Sequence, residues 1–164
     1  LLSTAETTGL IFLMLLGAEL FIAALALSRV PAELSSMIAG LDVPPLAILF
    51  AILVIYIILG CFMESMAMVL LTLPIFVPLM LALDFGLNPQ QVLVWFGILV
   101  LVSVEVGMIS PPFGLNLFVI NAMAKDVPMR DTYRGVLGFC ASDVVRIVML
   151  VLLPWLSLWL PGLM

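Results

Sequence analysis

No histidine occurs in the 164 residues. That absence removes Ser-His and Cys-His catalytic pairs, imidazole proton relays and His-based metal sites. Charge is nearly as scarce: 9% of the residues are Asp, Glu, Lys or Arg, against roughly 25% in a soluble globular domain. Five basic residues against ten acidic ones, a net charge of −5, leave no basic face for a nucleic acid. The two cysteines, Cys61 and Cys140, lie far apart in apolar runs without CxxC spacing. They read as buried thiols and say little about redox compartment.

What the chain does contain is hydrocarbon. Hydrophobic residues make up 66% of it, against roughly 45–50% in soluble domains. Too few polar side chains remain to cover a water-facing surface, so this is an integral membrane protein. It opens Leu1-Leu2-Ser3, with no Met and no basic region or cleavage site ahead of the first apolar run, and is expected to be a piece of a longer polypeptide.

Charged and polar stretches divide the sequence into four apolar blocks. Residues 8–28, with Glu19 as their one charge, match a single transmembrane helix, since about 30 Å of bilayer core takes about 20 residues. Residues 29–45 form a connection in which 31–41 predicts a short amphipathic helix along the membrane surface. Residues 46–83 carry only Glu64. As one helix they would run about 57 Å, too long for one span, and two ordinary spans leave almost nothing for a turn. A re-entrant helical hairpin with its tip at residues 60–65 fits better, because backbone may turn at membrane depth where protein or a wet cavity surrounds it. Two tight full spans are the alternative.

Residues 92–124 are interrupted by Ser110-Pro111-Pro112-Phe113-Gly114-Leu115-Asn116. Consecutive prolines remove two backbone donors and bias the preceding residue away from helix. Gly114 supplies a flexible position, and Asn116 is expected to cap a restarted helix. This predicts a discontinuous transmembrane helix. After a loop at 125–135, residues 136–160 read as a last helix holding Asp143 and Arg146 at i,i+3, with Trp155 and Trp159 at its exit. Lys125, Arg130 and Arg134 concentrate basic charge in that loop, which places it in the cytoplasm and the connections at 29–45 and 84–91 outside.

Ionisable groups in hydrocarbon are costly enough to be functional candidates. Glu64 reads either as a cation or substrate ligand or as a carboxylate capping the second hairpin arm. Glu105 either lines a cavity or bonds a neighbouring helix. Glu19 is expected to pair with another helix or a polar pocket. Asp143 and Arg146 read as an ion pair that positions the last helix. The two breaks carry more. Unwound helices expose carbonyls that suit a small hard cation and positive N-terminal ends that suit a carboxylate, the construction of secondary transporters with inverted repeats. The bland alternative is a kink tolerated in a membrane helix. The eleven methionines and ten phenylalanines read as packing and lipid-facing residues. Intramembrane proteolysis has no support: an aspartyl enzyme needs two buried Asp, and Asp143 is alone in the apolar blocks.

Three runs, GCFMESMAMVLLTLPIFVP (60–78), VEVGMISPPFGLNLFVI (104–120) and the stretch 133–161, together resemble the C-terminal end of the large membrane subunit of tripartite ATP-independent periplasmic (TRAP) transporters. The likeness covers essentially the whole chain, and its specific part is PPFGLN with the preceding E-x-G. It implies an all-α polytopic membrane protein: one inverted-repeat half of an elevator-type carrier in the ion-transporter superfamily, in a bacterial inner membrane. It implies Na⁺-driven import of an organic acid, with Na⁺ as coupling ion and no other cofactor. The implied partners are a small TRAP membrane subunit, a periplasmic solute-binding protein, the N-terminal half of the same permease, the carboxylate solute and lipid. By position, Gly60, Glu64 and Ser65 would form the hairpin tip. Gly107, Ser110, Pro111, Pro112, Gly114 and Asn116 would form the unwound segment, with Na⁺ at Ser110, Gly114 and Asn116. Thr72, Pro74 and Pro78 fall on the returning arm, with Thr72 and Glu105 as cavity candidates. The competing expectations are another carrier of that superfamily, a Na⁺/dicarboxylate symporter or ion antiporter, and a non-transporting scaffold subunit.

Overall fold

The computed structural model describes residues 2–40, 43–111, 113–123 and 127–163, and all regular structure among them is helical. The helices are α1 (Leu2–Ser28), α2 (Val30–Ala39), α3 (Pro45–Gly60), α4 (Ser65–Ala82), α5 (Pro89–Ile109), α6 (Leu115–Met123), α7 (Met129–Leu152) and α8 (Pro154–Leu158), followed by a 3₁₀ turn at Pro161–Leu163. Four of them, α1, α4, α5 and α7, are long and apolar enough to cross a membrane. At 16 residues, α3 is shorter, about 24 Å at about 1.5 Å per residue.

Helix ends depart from the hydropathy boundaries for one physical reason. The first N–H groups of a helix need polar partners, so its first turn is often hydrophilic. Thus α5 begins at Pro89 and not at Val92. The Asn88 carboxamide accepts from the Gln91 N–H at 2.8 Å, and the Gln91 side chain accepts from the Asn88 N–H at 3.1 Å, a reciprocal capping box. Likewise α7 begins at Met129, inside the expected 125–135 loop, with Asp131 in its first turn. Residues 125 and 126 of that loop, and residue 124 before it, lie outside the described residues. The helix expected at 136–160 is divided at Pro154, and Leu153 leaves helical geometry there at φ −122°, ψ 69°. Proline lacks the N–H and clashes with the carbonyl four residues back.

The centre of the molecule is α5 against α3. Val92, Trp95, Phe96, Leu99, Val100, Ser103, Val104 and Gly107 are buried on α5, a spacing of three and four residues that makes one face. Leu49, Ile52, Leu53, Tyr56 and Gly60 meet it from α3. Between apolar helices in lipid, association depends on close packing rather than on leaving water. Most of α1 is exposed, with Ala18 its one buried side chain among the described residues. A turn at residues 61–64 joins α3 to α4, and the side chains that face each other across that hairpin are Tyr56 with Thr72 and Phe76.

Candidate functional site

The hairpin tip and the helix break meet. Their approach is set by Gly60 and Gly107, where α3 crosses α5 backbone to backbone. A Cβ on Gly107 would lie 2.6 Å from the Ile57 carbonyl oxygen and 2.8 Å from the Gly60 Cα. A Cβ on Gly60 would lie 3.0 Å from the Gly107 Cα and the Val104 carbonyl oxygen. Both glycines, singled out as site residues, act here by letting two helices touch.

That crossing brings the residues just beyond each glycine into contact. The Cys61 thiol donates to the Ile57 carbonyl at 3.3 Å and reaches the Ser110 carbonyl at 3.7 Å. The Phe62 ring lies 4.9 Å from that of Phe113, which stacks on Phe118 at 6.4 Å. The tip therefore rests on the break through a thiol and a pair of phenyl rings. From the other side α7 holds the same segment. The Tyr133 hydroxyl donates to the Phe113 carbonyl at 2.9 Å, Thr132 donates to the Asn121 side chain at 2.9 Å, and the Ser110 hydroxyl approaches the Cys140 sulfur at 3.8 Å. Cys61 is buried and Cys140 half-buried, and neither forms a disulfide.

Within the break, Ser110 is extended at φ −89°, ψ 142°. Gly114 is left-handed at φ 58°, and its carbonyl accepts from the N–H groups of Leu117 and Phe118 at 2.8 and 3.2 Å. Gly114 is thus the N-terminal cap of α6. Asn116, expected in that role, is the second residue of the helix, because glycine alone turns left-handed at no steric cost and so places the cap two residues earlier. Pro111 is exposed, and Pro112 lies outside the described residues.

Glu64 caps α4. Its carboxylate accepts from the Met66 and Ala67 N–H groups at 2.9 and 3.0 Å, and from the Ser65 hydroxyl at 3.1 Å. Two of the orphan donors at the helix start are so satisfied, with a negative charge at its positive end. Thr72 holds the hairpin together. Its hydroxyl donates to the Met68 carbonyl at 2.7 Å, which leaves the Tyr56 hydroxyl to donate to it at 2.6 Å. Glu105 is exposed beside Leu101, one turn away on the same face of α5. Glu19 is exposed on α1 with no ion pair among the described residues. Asp143 and Arg146 pair at 2.9 Å, both on α7. The bridge closes on its own helix and ties α7 to no neighbour.

A hard cation prefers neutral and anionic oxygen. Among the described residues the Ser110 hydroxyl is engaged only by a sulfur at 3.8 Å, and Asn116 is half-exposed with no side-chain hydrogen bond to them. Those two oxygens fit such an ion. The Gly114 carbonyl, already accepting two N–H groups, fits less well. Sequence reasoning passed over Phe62, Phe113 and Tyr133. Phe113 sat inside the flagged heptapeptide, whereas Tyr133 reaches the break across 20 residues and left no local signal.

These features define a class: a multi-pass helical membrane protein in which a helical hairpin packs its tip against a broken helix. The chain belongs to the DctM component family of tripartite ATP-independent periplasmic transporters, whose family model matches residues 1–156. It is 32% identical over 162 residues to the C4-dicarboxylate TRAP transporter large permease protein DctM of Pseudomonas aeruginosa, covering 99% of this chain and 36% of that protein. It is 30% identical over 160 residues to the sialic acid TRAP transporter large permease protein SiaM of Vibrio cholerae, covering 98% and 36%. It is 32% identical over 121 residues to the isethionate TRAP transporter permease protein DctMQ of Oleidesulfovibrio alaskensis, covering 74% and 18%. The chain spans about a third of the first two relatives' length.

Proposed function

We propose that these residues supply one half of the ion and solute site of a TRAP importer that moves an organic acid into a bacterium through its inner membrane, driven by Na⁺. The observation that carries this reading is the junction of tip and break at Gly60–Gly107 and Phe62–Phe113. Unwound backbone beside a hairpin tip is what a transporter needs to bind a dehydrated ion and release it. The hairpin turns at membrane depth, and Na⁺ binds at Ser110 and Asn116. The N-terminal half of the same permease closes the site, a small membrane subunit supports it, and a periplasmic binding protein delivers the solute. The names of these three relatives give C4-dicarboxylates, sialic acid and isethionate as solutes, each an organic anion, and a further relative is named for ectoine, a zwitterion that carries a carboxylate, so an organic acid is the class taken here.

The test is reconstitution of the complete permease and its small subunit in liposomes, with purified binding protein outside. Uptake should need both an inward Na⁺ gradient and the binding protein. Ser110→Ala and Asn116→Ala should each raise the Na⁺ concentration for half-maximal uptake while leaving expression unchanged. Uptake without the binding protein would point to another carrier of the superfamily. No change in Na⁺ dependence in either variant would remove both side chains from the ion site.

A further inference from the structure

One crevice lies away from the tip and the break, between α1 and α4. It consists of two cavities in line. The first, about 330 Å³, is lined by Met14, Gly17, Ala18 and Phe21 of α1 and by Ala67, Leu70 and Leu71 of α4. The second, about 460 Å³, continues past Ile22, Leu25 and Ala26 to Pro74 and Pro78, and ends at Arg29 and Ala32. Small side chains at Gly17, Ala18, Ala26 and Ala67 keep the helices' surfaces apart along it. From Met14 to Arg29 the crevice runs about 22 Å, at about 1.5 Å per residue. One leaflet of a bilayer core is about 15 Å deep.

Among the described residues Arg29 is the only polar side chain in that lining, and it is the only basic residue before Lys125. It follows a 25-residue apolar span, Thr4–Ser28, which sets its guanidinium at the level where headgroup phosphates lie. It makes no ion pair among the described residues. Glu33, one turn along α2, meets it only through a backbone bond from its N–H to the Arg29 carbonyl at 3.0 Å. Arg29 is also the one non-glycine residue with positive φ among the described residues, at φ 57° and ψ 8°. Glycine takes that corner without steric cost, so a long cation held there in a strained backbone marks a used side chain.

We propose that this crevice binds one anionic phospholipid of the surrounding membrane, with its phosphate on Arg29 and an acyl chain along α1 and α4. The match is of shape and charge together: an apolar groove long enough for an acyl chain, with a single bidentate phosphate donor at its mouth. The bound lipid fills the space between α1 and the hairpin arm α4, and steadies one against the other. The proposal is independent of which solute or ion the permease carries.

The test uses the intact permease, delipidated in detergent and titrated with phosphatidylglycerol or with phosphatidylcholine of the same chains, bound lipid being counted by native mass spectrometry. A surface basic residue contributes roughly 1 kcal/mol toward an anionic lipid, so the wild type should favour phosphatidylglycerol about fivefold. Arg29→Gly, which suits the left-handed backbone, should fold normally and lose that preference; Arg29→Lys should keep part of it. Ala26→Phe, which blocks the channel and leaves the charge, should lower binding of both lipids. A phospholipid with a photoreactive acyl chain should label peptides holding Met14–Ala26 and Ala67–Pro78, a readout that does not depend on any variant folding. An undiminished preference in Arg29→Gly, or labelling elsewhere, would overturn the proposal. So would a crevice that binds no lipid because a partner's helix fills it.

Discussion

The indole N–H of Trp95, buried in α5, donates to the carbonyl of Leu150 in α7 at 2.8 Å, and Leu150 stands four residues before Pro154. In an unbroken helix that carbonyl would accept from residue 154, but proline has no N–H to give. The break at Pro154 therefore creates an acceptor, and Trp95 satisfies it across the helix interface. An unsatisfied carbonyl in lipid would cost several kcal/mol. One bond thus ties the core helix to the end of α7 and accounts for how a proline is tolerated there.

A double-mutant cycle isolates this bond. Trp95→Phe should destabilise the permease by about 1–3 kcal/mol, through an unpaired carbonyl and lost packing. In a Pro154→Ala background, where the substituted residue has an N–H to offer the Leu150 carbonyl, the same change should cost about 1 kcal/mol less. The measurement is thermal or denaturant unfolding in detergent. Equal costs in both backgrounds would show that Trp95 acts by packing alone.

The glycine crossing predicts an order of harm. Gly107→Ala places a methyl 2.6 Å from backbone oxygen, whereas Gly60→Ala places one at 3.0 Å. Neither neighbour is a flexible side-chain end, so α3 and α5 must separate. Overpacking of this kind costs about 1–3 kcal/mol, with Gly107→Ala expected at the upper end and Gly60→Ala at the lower. Separation of the helices should also lift the tip from the break, read as faster alkylation of Cys61, now 4% exposed. If Gly60→Ala proves the more damaging, the crossing is not set as described.

At the break itself, Gly114→Ala meets two obstacles, a positive φ and a Cβ 3.1 Å from the Ser110 carbonyl oxygen. A left-handed alanine costs about 1–2 kcal/mol, and the crowding adds to it. Tyr133→Phe should cost about 1 kcal/mol by freeing the Phe113 carbonyl. Both variants should speed hydrogen exchange at residues 113–118 before they affect α3. Unchanged exchange in both would mean that Gly114 and Tyr133 do not fix the segment's conformation.

How much of this was legible in the sequence depends on what each feature leaves behind locally. Proline pairs and charges are rare within apolar membrane helices, so the break at 110–116 and the turn near Glu64 stand out. The faces do not. Exposed Leu101 and buried Leu99 are equally apolar, so no periodicity separates the side of α5 that meets α3 from the side that does not. The pairings of Tyr133 with Phe113 and of Trp95 with Leu150 are long-range and left no pattern. The helix starts at Pro89 and Met129 lie ahead of the hydropathy boundaries because their polar first turns have the composition of a loop. The Asn88–Gln91 capping box has the residue types and spacing of a helix start, which a hydropathy boundary at Val92 does not use. Asn116 was a reasonable cap by residue type, overridden by the left-handed backbone at Gly114.

Glu64 poses the sharpest choice between structure and ion chemistry. Both of its oxygens are engaged at the start of α4, accepting from Met66, Ala67 and Ser65, and the side chain is exposed. A group so occupied has its hydrogen-bonding directions set by the helix, which leads us to expect a cap and no ion ligand. Glu64→Ala should then cost about 1 kcal/mol of stability and lower uptake only as far as the tip loosens. Glu64→Ser and Glu64→Asp, which cap well, should restore both unfolding temperature and uptake. Glu64→Gln keeps one acceptor and loses the charge at the helix's positive end, so it should fall between the alanine and aspartate variants. A ligand role makes the opposite forecast for the serine variant: normal stability with the Na⁺ dependence of uptake lost. Measuring melting and Na⁺-dependent uptake on the same four variants separates the two, and a stable but transport-dead Glu64→Ser would return the residue to the ion site.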